Sequence, residues 1–315
     1  MIQTSTQDAR KYLNPAVLAK ISGLELRARL AVEGFFTGMH HGPHHGLSVE
    51  FADHRVYTQG DDLRHIDWKV FGRTDKHYIK QYEQETNLDL MLVVDCSQSM
   101  TYRSANAPLS KHEYATTLAA AISYLALQQQ DAVGLALFDE HLTYCSKAAN
   151  TGHHWKTIVH ELAGRAGPAK TSLGRVLSEL AERLGHRMMV ILISDLFDAP
   201  ESVLRGLKLL RFRRHEVLVW NLWDEAELRF PFRSPTLFEG LEATGRLLAE
   251  PGSLRAQYLA EVDRFQTALR RGCNNMQVEY SLFQTSASLD QALSGYLATR
   301  GMRLRARFHR VAGRR

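Results

Sequence analysis

The chain has 315 residues, 44% of them hydrophobic and 23% charged, with a formal net charge of +5. That balance suits a chain that buries a full α/β core and excludes a largely disordered one, so one core with an extension is expected. No run approaches the roughly 18 apolar residues of a membrane span; the start shows no signal-peptide pattern and the three cysteines (Cys96, Cys145, Cys273) include no C-x-x-C pair, so a cytoplasmic protein without disulfide framework or zinc site is expected.

Val17, Leu18, Ile21, Leu24, Leu26 and Leu30 recur at helical spacing behind Asn14-Pro15, which predicts a leading helix within 15–36. A Gly/His-rich loop from Gly38 to Gly46 and an extended run from Glu50 to Gly60 come next. The pattern turns helical from Asp61 through Leu63, Ile66, Trp68 and Val70, then alternates like a strand from His77 to Glu83.

From Leu88 the texture changes to apolar runs separated by amphipathic helices, the pattern of a parallel sheet with crossovers. Leu90-Met91-Leu92-Val93-Val94 reads as a strand apolar on both faces, hence central. Lys111 to Gln129 reads as a helix. Ala132 to Phe138 and Leu142 to Cys145 read as a hairpin forming an antiparallel edge. Helices are predicted at 155–162 and 173–184, a second buried strand at 188–193, a helix at 201–212 and a strand at 216–222. Residues 225–252, broken by Pro231, Pro235, Gly240, Gly245 and Pro251, read as an irregular or hairpin excursion. A helix at 254–269, a strand at 276–283 and a helix at 289–297 close the pattern. The expected fold is a doubly wound, mostly parallel α/β sheet of about six strands. Residues 1–86 form its N-terminal extension, 87–300 the sheet domain and 301–315 a basic tail.

In such a sheet, ligands bind beyond the carboxyl ends of the strands. Two predicted buried strands end in acid there, Val93-Val94-Asp95-Cys96-Ser97-Gln98-Ser99 and Leu192-Ile193-Ser194-Asp195. A carboxylate at the end of an apolar strand needs a cation or several donors. The spacing Asp95, Ser97, Ser99 lets alternate residues turn three oxygens toward one point, a set that suits magnesium. Thr171 or its neighbour Ser172 adds a hydroxyl from a third loop, where it also could cap the helix beginning near Leu173.

These residues resemble the metal-ion-dependent adhesion site of von Willebrand factor A domains. The first motif falls on Asp95, Ser97 and Ser99, the second on Thr171 and the third on Asp195, with Asp198 an alternative to Asp195. The resemblance implies a von Willebrand A-like domain holding Mg2+, or another divalent cation such as Mn2+ or Ca2+. It further implies one open coordination position, completed by an acidic side chain of a protein partner.

Ahead of the sheet stand Gly38-Met39-His40-His41-Gly42, Val49-Glu50-Phe51, Arg55-Val56-Tyr57, Gly60 to Lys69, Arg73 and Glu83 to Asn87. This segment resembles the bacterial family called domain of unknown function 58. Many members begin with two membrane spans, and this chain looks like the short, soluble kind. The resemblance implies an adaptor associated with a MoxR-type AAA+ ATPase that assembles or remodels other proteins. From the residues themselves, Arg55, Asp61, Asp62, Arg64, Asp67 and Arg73 form opposite charges at close spacing, which predicts a structural ionic network. His40, His41, His44 and His45 offer imidazoles without a fixed carboxylate or Cys partner, which argues against a transition-metal site.

Two other functions compete with the adaptor. Asp95 after a buried strand could be a phosphoryl-accepting nucleophile of a metal-dependent phosphatase, but the position two residues on, where haloacid dehalogenase-like enzymes carry an acid, is Ser97. Arg211, Arg213, Arg214 and the terminal arginines Arg303, Arg305, Arg307, Arg310, Arg314 and Arg315 could contact nucleic acid, with salt-sensitive affinity. The chain has no G-x-x-x-x-G-K-[ST] loop and no G-x-S-x-G elbow, so it is expected not to be an enzyme. Cys96 reads as a small buried hydrophobe and not as a nucleophile.

Overall fold

The computed structural model describes residues 23–29, 31–32, 54–57, 68–74, 78–80, 88–164, 170–240, 245–289 and 293–294. Its contacts divide the chain into two units, Gly38–Asn87 and the remainder, which joins Met1–Thr37 to Leu88–Arg315. The leading helix therefore groups with the sheet and not with the segment next to it in the chain. In the smaller unit, β1 (His54–Val56) pairs antiparallel with β2 (Tyr78–Lys80), and α1 (Trp68–Thr74) lies between them in sequence.

The larger unit is built on six strands. In chain order these are β3 (Asp89–Asp95), β4 (Ala132–Phe138), β5 (Leu142–Cys145), β6 (Met189–Ser194), β7 (Glu216–Trp223) and β10 (Glu279–Gln284). They lie in the order β10-β7-β6-β3-β4-β5, all neighbours parallel except β5, which returns antiparallel on β4. The predicted doubly wound, mostly parallel sheet with an antiparallel edge is thus present. From β3 the chain crosses first to β4 and later to β6 on the other side. The carboxyl ends of β3 and β6 consequently flank the point where the winding reverses, and there the diverging loops leave a crevice.

The helices are α2 (Lys111–Gln128), α3 (His154–Leu162), α4 (Leu173–Arg183), α5 (Pro200–Phe212), α6 (Glu225–Arg229) and α7 (Pro251–Asn275). Alternation along the strands explains the two layers. Met91, Val93, Val190, Leu192, Val217 and Val219 pack with Val176, Leu177, Leu207 and Leu269 from α4, α5 and α7. Leu90, Leu92, Val94, Ile191 and Ile193 point the other way and are equally buried. That face carries α2, whose Ala-rich sequence is buried on nearly every side. The helical residues 23–29 and 31–32 bury Leu24, Ala28 and Val32, one face at i, i+4, i+8. The Arg29 guanidinium lies over the Trp155 ring at 5.1 Å, joining this helix to α3.

The excursion at 225–252 contains α6 and a separate hairpin of β8 (Thr236–Glu239) and β9 (Arg246–Ala249). Pro251, read as a breaker, instead occupies the first turn of α7, where its missing N–H costs nothing. The helix runs longer at both ends than predicted, and at its start this is the reason. The predicted closing helix at 289–297 falls largely outside the described residues. Among the described residues, no helix is long and apolar enough to cross a membrane.

Candidate metal centre

β3 delivers Asp95 to the crevice, and its carboxylate is fully buried. Oδ1 accepts a hydrogen bond from the Ser97 amide at 2.9 Å, and Oδ2 accepts from the hydroxyl of Ser194, at the end of the neighbouring strand β6. Past Ser97 the chain tightens into a 3-10 turn, Gln98–Thr101, which folds Ser99 back toward the strand end. The Ser97 and Ser99 hydroxyls meet at 3.0 Å, both buried. The D-x-S-x-S spacing thus gathers its three side chains at one place.

The other two loops are linked to the end of β3 in series, by way of the end of β4 and the start of α4. Cys96 N donates to Phe138 O at 2.7 Å, and Ser172 N reaches Asp139 O at 3.5 Å, so the loop before α4 abuts the end of β4. Gly174 N donates to Asp198 Oδ2 at 3.3 Å, joining the start of α4 to the loop after β6. Thr171 Oγ1 is buried and finds no hydrogen-bond partner among the described residues. Ser172 precedes α4 without capping it through its side chain. Asp198 spends Oδ1 on Ala199 N and Oδ2 on Gly174 N, whereas Asp195 faces inward beside Asp95.

Electrostatics distinguish the two inward acids. Burial, and then the negative charge of Asp195, push the Asp95 carboxyl up to about 7 despite the bonds from Ser194 and Ser97. Among the described residues no cationic side chain forms an ion pair with it. Asp195 is different: its Oδ2 accepts from Lys111 Nζ at 2.8 Å and its Oδ1 from Phe197 N at 3.2 Å. Lys111 is itself fully buried and also reaches Glu227 Oε1 at 2.8 Å. Burial alone would lower the Lys111 ammonium, yet the charges of Asp195 and Glu227 hold it above its ordinary value. Burial raises the Glu227 carboxyl in turn, against the pull of Lys111.

These residues fit a hard divalent cation. Each oxygen of Asp95 and Asp195 accepts one hydrogen bond and retains further acceptor capacity; the two serine hydroxyls share one bond between them, and Thr171 Oγ1 makes none among the described residues. Such an all-oxygen set, with one or two carboxylates, is what magnesium takes. Among the described residues no three His, Cys, Asp or Glu side chains are grouped to hold an ion, so a cation at this place would have to draw on the hydroxyls as well as the two carboxylates. Cys96 does not contribute a thiolate: burial and the charges of Asp95 and Asp139 push its thiol up to about 12.

Of the remaining predicted residues, several fall outside the described residues. Asp61, Asp62, Arg64, Asp67 and His40 to His45 lie outside them, as do the Arg55 side chain and the terminal arginines. Arg73 is exposed in the last turn of α1. Arg211 is structural, donating to Met276 O at 3.1 Å and His215 O at 2.8 Å. Arg213 and Arg214 are exposed.

Sequence reasoning missed Ser194, Lys111, Asp224 and Glu227. Ser194 stood just past the predicted strand, with nothing in the run to mark its hydroxyl. Asp224 and Glu227 carried a legible signal: a third buried strand, β7, also ends in acid, and Asp224-x-x-Glu227 has capping-box spacing. Both box bonds are present, and Asp224 further accepts from Ser104 N at 3.0 Å.

The family model described as protein of unknown function DUF58 matches residues 53–268. Uncharacterized proteins of Mycobacterium bovis and Mycobacterium tuberculosis are each 30% identical over 222 residues, covering 69% of this chain and 68% of theirs. Similar solved structures include the conserved hypothetical protein BatB from Bacteroides thetaiotaomicron, 15% identical with a TM-score of 0.40 over 68% of this chain and 98% of that one. An aerotolerance-related membrane protein from Bacteroides fragilis, 15% identical, gives 0.41 over 66% and 98%. The VWA domain of SpRpn10, 11% identical, gives 0.39 over 66% and 94%. The doubly wound fold rests on the strand order itself and not on these scores.

Proposed function

The chain belongs to the family described as protein of unknown function DUF58, and we propose that it is a metal-dependent protein-interaction adaptor working in the cytoplasm. Asp95, Ser97, Ser99 and Thr171, with Asp195 beside them, hold one divalent cation, most simply Mg2+. When bound, that cation supplies an electrophilic position for an acidic side chain of a protein partner. The chain's own residues orient the oxygens, keep the centre buried and balance its charge. The centre binds and does not catalyse, and neither a membrane nor a nucleic acid is its ligand.

The observation that carries this reading is the state of Asp95. It is a fully buried carboxyl at a strand end, beside a second acid, with no protein cation paired to it among the described residues. A carboxyl in that position is neutralised by a proton or by a cation, and the neighbouring hydroxyls are the right donors for a hard cation. A von Willebrand A-like role accounts for these residues; a MoxR-type AAA+ ATPase, or its client, is the partner this family resemblance suggests.

The test is affinity capture from native cytosol with the wild type and Asp95→Ala, each with magnesium and with chelator. Recovery of an AAA+ ATPase by the wild type with magnesium alone supports the adaptor. Equal recovery by Asp95→Ala, or in chelator, means the contact does not run through this centre.

A further inference from the structure

Lys111 enters the centre from the first turn of α2. Its Nζ lies 2.8 Å from Asp195 Oδ2, 2.8 Å from Glu227 Oε1 and 4.6 Å from the centre of the Phe197 ring. The lysine side chain is wholly buried, as is Asp195, and Glu227 is nearly so. An ammonium this enclosed is fixed in place by its two carboxylates and the ring face.

The consequence is a charge count. Asp95, Asp195 and Glu227 interact directly with one another or with Lys111, and three negative charges against one positive leave two. Asp224 and Asp198 keep their own charge, but their oxygens are held by neutral donors at the starts of helices and loops, and among the described residues neither is hydrogen-bonded to Lys111, Asp95 or Asp195, so the count is taken over the directly interacting group alone. Asp224 takes Ser104 N, Ala226 N and the Thr285 hydroxyl; Asp198 takes Gly174 N and Ala199 N. One divalent cation brings the group of four to neutrality. Within that group a trivalent ion leaves one positive charge over, and in a buried centre an uncompensated unit charge is costly.

We propose that Lys111, together with Glu227, sets the charge selectivity of the centre, matching it to a divalent cation. This rests on the metal reading given under the proposed function and is separable from it. A lysine that merely clamps α2 to α6 would leave selectivity unchanged; a lysine that sets the charge makes selectivity track the count. Removing the positive charge leaves three negative charges, which favours a trivalent ion, whereas neutralising Glu227 leaves one and disfavours it. Removing both restores two.

The experiment is calorimetric titration of the full chain with calcium and with terbium, ions of nearly equal radius and different charge. The readout is the ratio of terbium to calcium affinity. Relative to the wild type, Lys111→Met raises this ratio at least about tenfold, Glu227→Gln lowers it at least about tenfold, and the double variant returns it toward the wild-type value, as expected for one unit charge at protein-like dielectric. Should Lys111→Met fail to fold, Glu227→Gln and the double variant decide the matter. A ratio unchanged by Glu227→Gln in folded protein overturns the selectivity role while leaving metal binding intact. A wild-type chain that takes up neither ion overturns both this role and the adaptor reading.

Discussion

Lys111 and Asp195, 84 positions apart in the chain, form an ion pair in which neither side chain is exposed. Removing one member of such a pair strands the other in a medium that solvates it poorly, and typically costs about 3–5 kcal/mol. Lys111→Ala is therefore expected to lower unfolding stability by about that amount, because it strands Asp195 and Glu227 together. Urea denaturation of the metal-free protein measures it. A loss below about 1 kcal/mol would mean that water reaches the pair.

Magnesium should stabilise the wild type, by about 2.7 kcal/mol at a hundredfold excess over its dissociation constant, and should do nothing for Asp95→Asn. The proton competes for the same carboxyl. Because Asp95 titrates at about 7 in the folded chain, against an ordinary value of 3.8, the folded state binds more protons between those limits. Metal-free stability should accordingly fall as pH rises from about 4 through 7, and magnesium should cancel the loss. Thermal melts across that range, with and without the ion, supply the check.

Gly174 stands where α4 meets α5. A Cβ added there would lie 2.7 Å from the Ser202 carbonyl oxygen and 2.1 Å from its hydroxyl, and backbone cannot give way as a flexible side chain can. Gly174→Ala should destabilise by about 1–3 kcal/mol. Since Gly174 N also donates to Asp198, the same change should loosen the start of α4 with the loop before it and weaken magnesium binding. Calorimetric affinity unchanged in a destabilised variant would separate packing from loop position.

His215 is buried, with Nδ1 accepting from Met188 N at 3.3 Å and Nε2 lacking a hydrogen-bond partner among the described residues. Burial, and then the nearby His186 and Arg213, lower its pKa below the ordinary 6.5. The unfolded chain thus takes up the proton first, and stability falls as pH drops below 6.5. In His215→Asn, which keeps an acceptor for Met188 N, that part of the acid sensitivity should disappear from melts between about pH 7 and 5.

Much of the sheet was legible because its signals are local. β3 and β6 carry an unbroken apolar run up to their terminal polar groups, which marks central parallel strands. The hairpin of β4 and β5 announced itself through two apolar runs around Asp139-Glu140. Less legible was 225–252, where proline and glycine mark breaks without specifying the element beyond each break. Pro251 begins a 25-residue helix, and a single proline is compatible with either outcome.

The order of residues alone determined which acids and hydroxyls stand at the strand ends, since apolar runs and D-x-S-x-S spacing are properties of neighbours in the chain. Only the tertiary structure decided which of these acids is paired. A lysine in the first turn of a helix reads as a solvated side chain opposing the helix dipole, and nothing adjacent to Lys111 indicates otherwise. Its partners arrive from the end of β6 and from α6, so the counter-charge of the centre depends on how α2 docks on the sheet.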